Sequence, residues 1–138
     1  MNKICIGCGS RFRALAGEKC GDCIVSQVRE IGKLEKDWDG YDSDPIAPIT
    51  VEKALDVAGW IVDNGFLRCC GHVAPGSDGT IKFEFDDLET KYGVEVYVDK
   101  FAQLSAMTFI DGPFIDFDEL VIDDYDKLRP ILRKAMSE

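Results

Sequence analysis

At 138 residues, with 46% apolar and 30% charged positions, the chain can hold one ordinary core, or a small module beside a compact domain, and its composition is not that of a disordered segment. The formal charge of −10 is unevenly placed: residues 1–36 carry seven Lys/Arg against four Asp/Glu, and residues 37–138 carry nine against twenty-two. An acidic body repels nucleic acid at long range, and no apolar run is long enough to cross a bilayer, so the charge favours a basic protein surface as partner.

The chain opens with four cysteines in two close pairs, Cys5/Cys8 and Cys20/Cys23. Two C-x2-C pairs brought together give a tetrahedral four-thiolate site of the kind that holds structural zinc. Gly7, Gly9 and Gly21 sit where tight turns would aim backbone amides at sulfur. A short strand is expected over Arg11–Leu15. After Cys23 the apolar residues Ile24, Val28, Ile31 and Leu34 recur at helical spacing, so the second pair opens a helix. A knuckle followed by a pair at a helix N-terminus resembles a treble-clef zinc finger. The expected organisation is a four-cysteine finger with helix over residues 1–36, then an acidic α+β domain over 37–138. A closed four-sulfur site has no open position for chemistry, so the zinc is read as structural. Met1–Cys5 begins no apolar signal segment, and Cys69 and Cys70 read as small buried hydrophobes. The expected compartment is a reducing cytoplasm.

Residues 37–48 break the helix with Gly40, Pro45 and Pro48, and Trp38 and Tyr41 are expected to anchor this loop to the body. Its four aspartates do not match a calcium loop, because Tyr41 and Asp42 fall where an oxygen ligand and a glycine are required. Thr50 reads as the N-cap of a helix ending near Asn64-Gly65, with Val51, Ala54, Leu55, Ala58, Ile61 and Val62 as its apolar stripe. Period-two alternation then predicts strands over Thr80–Asp86, Gly93–Asp99 and Gln103–Ile110, an antiparallel meander with one face on the core. The stretch Phe114–Val121 gives no clear period. A last helix is expected from about Asp124, with Leu128, Ile131, Leu132 and Ala135 inward and Pro130 limiting its start. The fold class is α+β: a treble-clef-like finger followed by an antiparallel meander packed against helices.

Trp38-Asp39-Gly40-Tyr41, Pro45-Ile46, the helix from Thr50 and Asp78-Gly79-Thr80-Ile81-Lys82-Phe83-Glu84-Phe85 form a series of short motifs over roughly residues 37–110. The series resembles a small α+β domain of bacterial and phage proteins that look like parts of toxin–antitoxin or phage–host conflict systems. The resemblance implies no assigned chemistry, and the N-terminal finger departs from it.

An enzyme reading has little to build on. His72 is the one histidine, near Cys69 and Cys70, with no oxyanion-hole motif. Asp116, Asp118 and Glu119, or Asp86 and Asp87, are candidate magnesium ligands for a metal-dependent hydrolase, without a lysine or histidine at a recognisable offset. The expected function is a non-enzymatic protein-interaction module, an inhibitor of phage or bacterial origin whose acidic body docks on a basic partner such as a nucleic-acid-binding complex. The candidate partner-binding residues are Asp116, Asp118, Glu119, Asp123 and Asp124. The alternative is a nucleic-acid-linked regulator that touches phosphates through Lys3, Arg11, Arg13, Lys19, Arg29 and Lys33 on the finger.

Overall fold

The computed structural model describes residues 2–4, 11–13, 21–66, 70–87, 92–110 and 116–135. The chain begins with an antiparallel pair, β1 (Asn2–Ile4) and β2 (Arg11–Arg13), with Lys3 opposite Phe12. Helix α1 (Gly21–Ile31) follows, then a loop, then α2 (Pro48–Asp63). Among the described residues, a five-stranded antiparallel sheet is formed by β3 (Cys70–Pro75), β4 (Ile81–Asp87), β5 (Tyr92–Val98), β6 (Leu104–Ile110) and β7 (Asp116–Val121), in sequential order. Helix α3 (Tyr125–Ala135) closes the described chain.

The alternation in β4 and β5 sets the layers. Ile81, Phe83 and Phe85 are fully buried, and their register partners Val98, Val96 and Val94 are buried with them. Each such side chain contributes about 1.5–3 kcal/mol of transfer free energy. The intervening Lys82, Glu84 and Glu95 are part-exposed on the other face. Glu84 and Glu95 are direct register partners, and like charges opposite each other destabilise a ladder. Lys82 relieves this: its Nζ lies 3.0 Å from Glu84 and 3.7 Å from Glu95, and the hydrogen bond to Glu84 raises its pKa. The Tyr97 hydroxyl donates to the remaining Glu95 oxygen.

The helices share one core with the sheet. On α2, Ala54, Val57, Ala58 and Ile61 recur at helical spacing and are wholly buried. Trp60 stacks on Phe66 and on Tyr125, each at 5.4 Å between ring centroids, and so ties α2 to α3. From α3, Leu128 and Leu132 are buried, and the helix runs through Pro130 instead of beginning there. On α1, Ile24, Val28 and Ile31 are buried in the same cluster, and α1 packs on α2 and β3.

Thr50 is not the N-cap. Pro48 occupies the first helical turn, where its missing N–H costs nothing, and Ala47 caps without a side-chain bond. The Thr50 side chain is buried instead, and its hydroxyl donates to the Asp99 carbonyl at 2.8 Å. The helix does stop at Asn64-Gly65, where Gly65 has φ +79° and the Phe66 amide donates back to the Ile61 carbonyl. No helix among the described residues is long and apolar enough to cross a membrane.

Candidate interaction surface

The pairing register fixes which loops share an end of the sheet. Ile81 is opposite both Pro75 and Val98, Leu104 is opposite Val98, and Ser105 is opposite Val121. The turns at 76–80 and 99–103 and the link from β7 to α3 therefore leave from one end. The loop over 36–48 joins them: the Asp44 amide donates to the Ser77 carbonyl at 3.1 Å, and the Thr50 bond ties the start of α2 to Asp99. Gly79, at φ +87°, packs where a β-carbon would lie 3.5 Å from Lys100 Cβ and 3.8 Å from the Pro45 carbonyl oxygen. Four segments distant in sequence thus form one surface.

That surface is acidic. Asp37, Asp39, Asp42, Asp44, Asp78, Asp99, Asp123 and Asp124 lie on it against Lys36, Lys53, Lys100 and Lys127. Many of these carboxylates also hold the loops. Asp37 accepts from the Asp42 amide at 2.6 Å, and Asp39 accepts from the Tyr41 amide at 2.9 Å and from the Ser43 hydroxyl. The Ser43 bond, then the Tyr41 amide, keeps the Asp39 carboxyl below the usual aspartate range. Asp99 accepts from the amides of Phe101 and Gln103 at 2.8 and 2.9 Å. Lys36 bridges to Asp42 at 3.0 Å. These bonds account for the aspartates of the 37–44 loop without a bound cation.

Trp38 is part-buried and anchors the loop through its indole N–H, which donates to the Asp44 carbonyl at 2.9 Å. Tyr41 is not an anchor. It is 88% exposed, because Gly40 at φ +79° and Asp42 at φ +63° turn the chain outward around it. Phe101, in the turn between β5 and β6, is 74% exposed on the same end, and Ile49 at the start of α2 is 52% exposed.

Of the acidic residues expected to meet a partner, Asp123 and Asp124 are exposed on this surface. Asp123 pairs with Lys127 at 2.6 Å, which holds its carboxyl low, and Asp124 caps α3 by accepting from the Asp126 amide at 3.0 Å. Asp116, Asp118 and Glu119 lie in β7 opposite Ile110, Thr108 and Met107, and their side chains fall outside the described residues. Beside Asp123 and Asp124, a cleft of about 260 Å³ is lined by Lys53, Leu104, Ile122 and Tyr125. The Lys53 ammonium sits 4.8 Å from the Tyr125 ring centre. The Tyr125 hydroxyl donates to Asp56 at 3.1 Å, and burial first, then Asp56, pushes its pKa up to about 12.

The sites of Cys5, Cys8 and Cys20 lie outside the described residues, as does the Cys23 side chain. Of the residues around them, 2–4, 11–13 and the backbone from Gly21 on are described. Cys5 follows β1 directly, the Cys5–Ser10 segment joins two paired strands, and Cys23 lies in the first turn of α1. His72 is exposed on β3 opposite Glu84, and Cys69 lies outside the described residues. Among the described residues, no group of three or more His, Cys, Asp or Glu side chains is placed to hold a metal.

Sequence reasoning missed Tyr41, Phe101 and Lys53 as surface features. The signal for the two rings was present: Asp39-Gly40-Tyr41 and Asp99-Lys100-Phe101 share an Asp-x-aromatic spacing. Comparison of the chain with protein-family models, with curated proteins and with solved structures returns no match.

Proposed function

We propose that this chain is a non-enzymatic protein-interaction module that docks through its acidic loop end onto a basic surface of another protein. The observation that carries the reading is the gathering of eight aspartates, from four separate segments, at one end of the sheet. Clustered charge of one sign speeds encounter with an opposite surface and repels nucleic acid. The helix–sheet core behind it is a rigid support. Cys5, Cys8, Cys20 and Cys23 hold a structural zinc in this reading, and the finger stiffens the N-terminus. An inhibitor directed at a nucleic-acid-binding complex would present such a face, in keeping with the conflict-system resemblance of the W-D-G-Y segment.

The test is binding of a lysine decapeptide at two salt concentrations. Replacing Asp42, Asp44, Asp78 and Asp123 together by Asn is expected to weaken binding tenfold or more, about 1.4 kcal/mol. Binding by the unaltered protein is expected to fall as salt rises. A parallel variant with Asp116, Asp118 and Glu119 changed to their amides measures what β7 adds. Undiminished binding after all these changes would overturn the reading, and loss only on changing Arg11 and Arg13 would transfer the role to the finger.

A further inference from the structure

We infer that Tyr41 and Phe101 are paired aromatic anchors for arginine side chains of the basic partner. The inference rests on the docking end proposed above and names what that end recognises. Both rings are large, apolar and turned to solvent, at 88% and 74% exposure, on one end of the molecule. Ile49, at 52% exposure in the first turn of α2, is a third apolar side chain left to solvent, and aspartates neighbour both rings in the chain. Exposed aromatic side chains of this size are the commonest anchors in interfaces.

The two rings are presented in the same way. Each follows an aspartate by two residues, and that carboxylate accepts from the amide of the aromatic residue, at 2.9 Å for Tyr41 and 2.8 Å for Phe101. Each ring is followed by a residue with a β-carbon at φ +63°, Asp42 and Ala102. That conformation is unfavourable for such residues; the Asp42 amide donates to the Asp37 carboxylate and the Ala102 amide to the Asp99 carbonyl, which holds the backbone beside each ring. Aromatic side chains have few rotatable angles and lose little conformational entropy on binding, which is why they serve as anchors in interfaces.

The charge chooses the occupant. With eight aspartates against Lys36, Lys53, Lys100 and Lys127, this end is net acidic and repels both nucleic acid and a second copy of itself. A cation-bearing partner is attracted. The negative face of an aromatic ring binds guanidinium by cation–π contact and stacking, better than it binds a hydrated ammonium. The Phe101 ring already accepts a cation on its face, with Lys100 Nζ 5.4 Å from the centroid.

The test compares arginine and lysine decapeptides of equal charge against the full-length protein. The unaltered protein is expected to bind the arginine peptide at least about fivefold more tightly, the size two exposed cation–π contacts supply. Tyr41→Leu with Phe101→Leu should abolish the preference, weakening the arginine peptide more than the lysine peptide, and Tyr41→Phe should keep it. The exposed positions make misfolding of these variants easy to exclude by circular dichroism. Equal binding of both peptides, unaffected by the leucine changes but weakened by the Asp→Asn set, would overturn the anchor role and leave the docking end standing. No binding of either peptide would overturn both.

Discussion

Replacing Ile24 by Ala tests whether α1 is part of the core that supports the docking end. Ile24 is 1% exposed and packs in one cluster with residues of α2 and the sheet. Truncating a buried isoleucine to alanine removes three carbons and leaves a cavity, a loss of about 2–5 kcal/mol. With a urea m-value of about 2 kcal/mol/M, the unfolding midpoint should fall by about 1 M or more. The assay is urea unfolding followed at two places, by the amide signal of Val28 in α1 and by those of Phe83 and Val96 in the sheet. Both should move together. Ser26→Ala, exposed on the same helix, should change stability by no more than about 0.5 kcal/mol. A sheet transition shifted by less than about 0.5 kcal/mol in Ile24→Ala, with α1 melting separately, would refute the shared core.

Protein purified without chelator should carry about one zinc per chain, and a value near zero with all thiols free would rule the site out. Chelator should expose the amides of residues 2–4 and 11–13 to exchange while those of 24–31 and 81–98 stay protected, because α1 is held by its own packing; loss of protection in all of them together would contradict this. Tyr125→Phe should flatten the alkaline limb of stability. The raised folded pKa of about 12 means that the contribution of Tyr125 is full below about pH 10 and is lost as pH rises through 12; an unchanged limb would show that the hydroxyl is indifferent. Lys82→Gln should destabilise the sheet by leaving Glu84 and Glu95 opposed, and the deficit should shrink when Glu95 is also changed to Gln; an equal loss in that background would assign it to packing instead.

The parts of the fold with strong periodicity were legible in the sequence. The alternation of β4 and β5 appears where the apolar residues put it, and so does most of the α2 stripe, except that Val62 is exposed and Val57 is buried in the core. The edge strands were not. Cys70–Pro75 contains Gly71 and Pro75 and buries Val73 without an alternating pattern, and Asp116–Val121 is rich in residues with poor strand propensity. Both are strands because an already formed neighbour supplies the ladder. Thr50 has the chemistry of a cap, but Pro48 starts the helix earlier and the hydroxyl is used in a tertiary bond. The docking end was the least legible feature. Its aspartates read as solvated loops and caps one segment at a time; the register of the sheet brings residues 78, 101 and 123 to one end, and the Asp44–Ser77 and Thr50–Asp99 bonds bring residue 42 to join them. Tyr41 was read by residue type, as an aromatic near a loop is usually an anchor, whereas the turn geometry of Gly40 and Asp42 decides its exposure.

The most direct test of a single acidic docking end is an amide chemical-shift map of the isotope-labelled protein titrated with the lysine decapeptide. The account predicts that the shifts fall on residues 37–44, 77–79, 99–103 and 122–126, and that β1, β2 and the Gly65-Phe66 end of α2 stay still. Shifts centred on the β1–β2 hairpin, or spread evenly over the molecule, would contradict it.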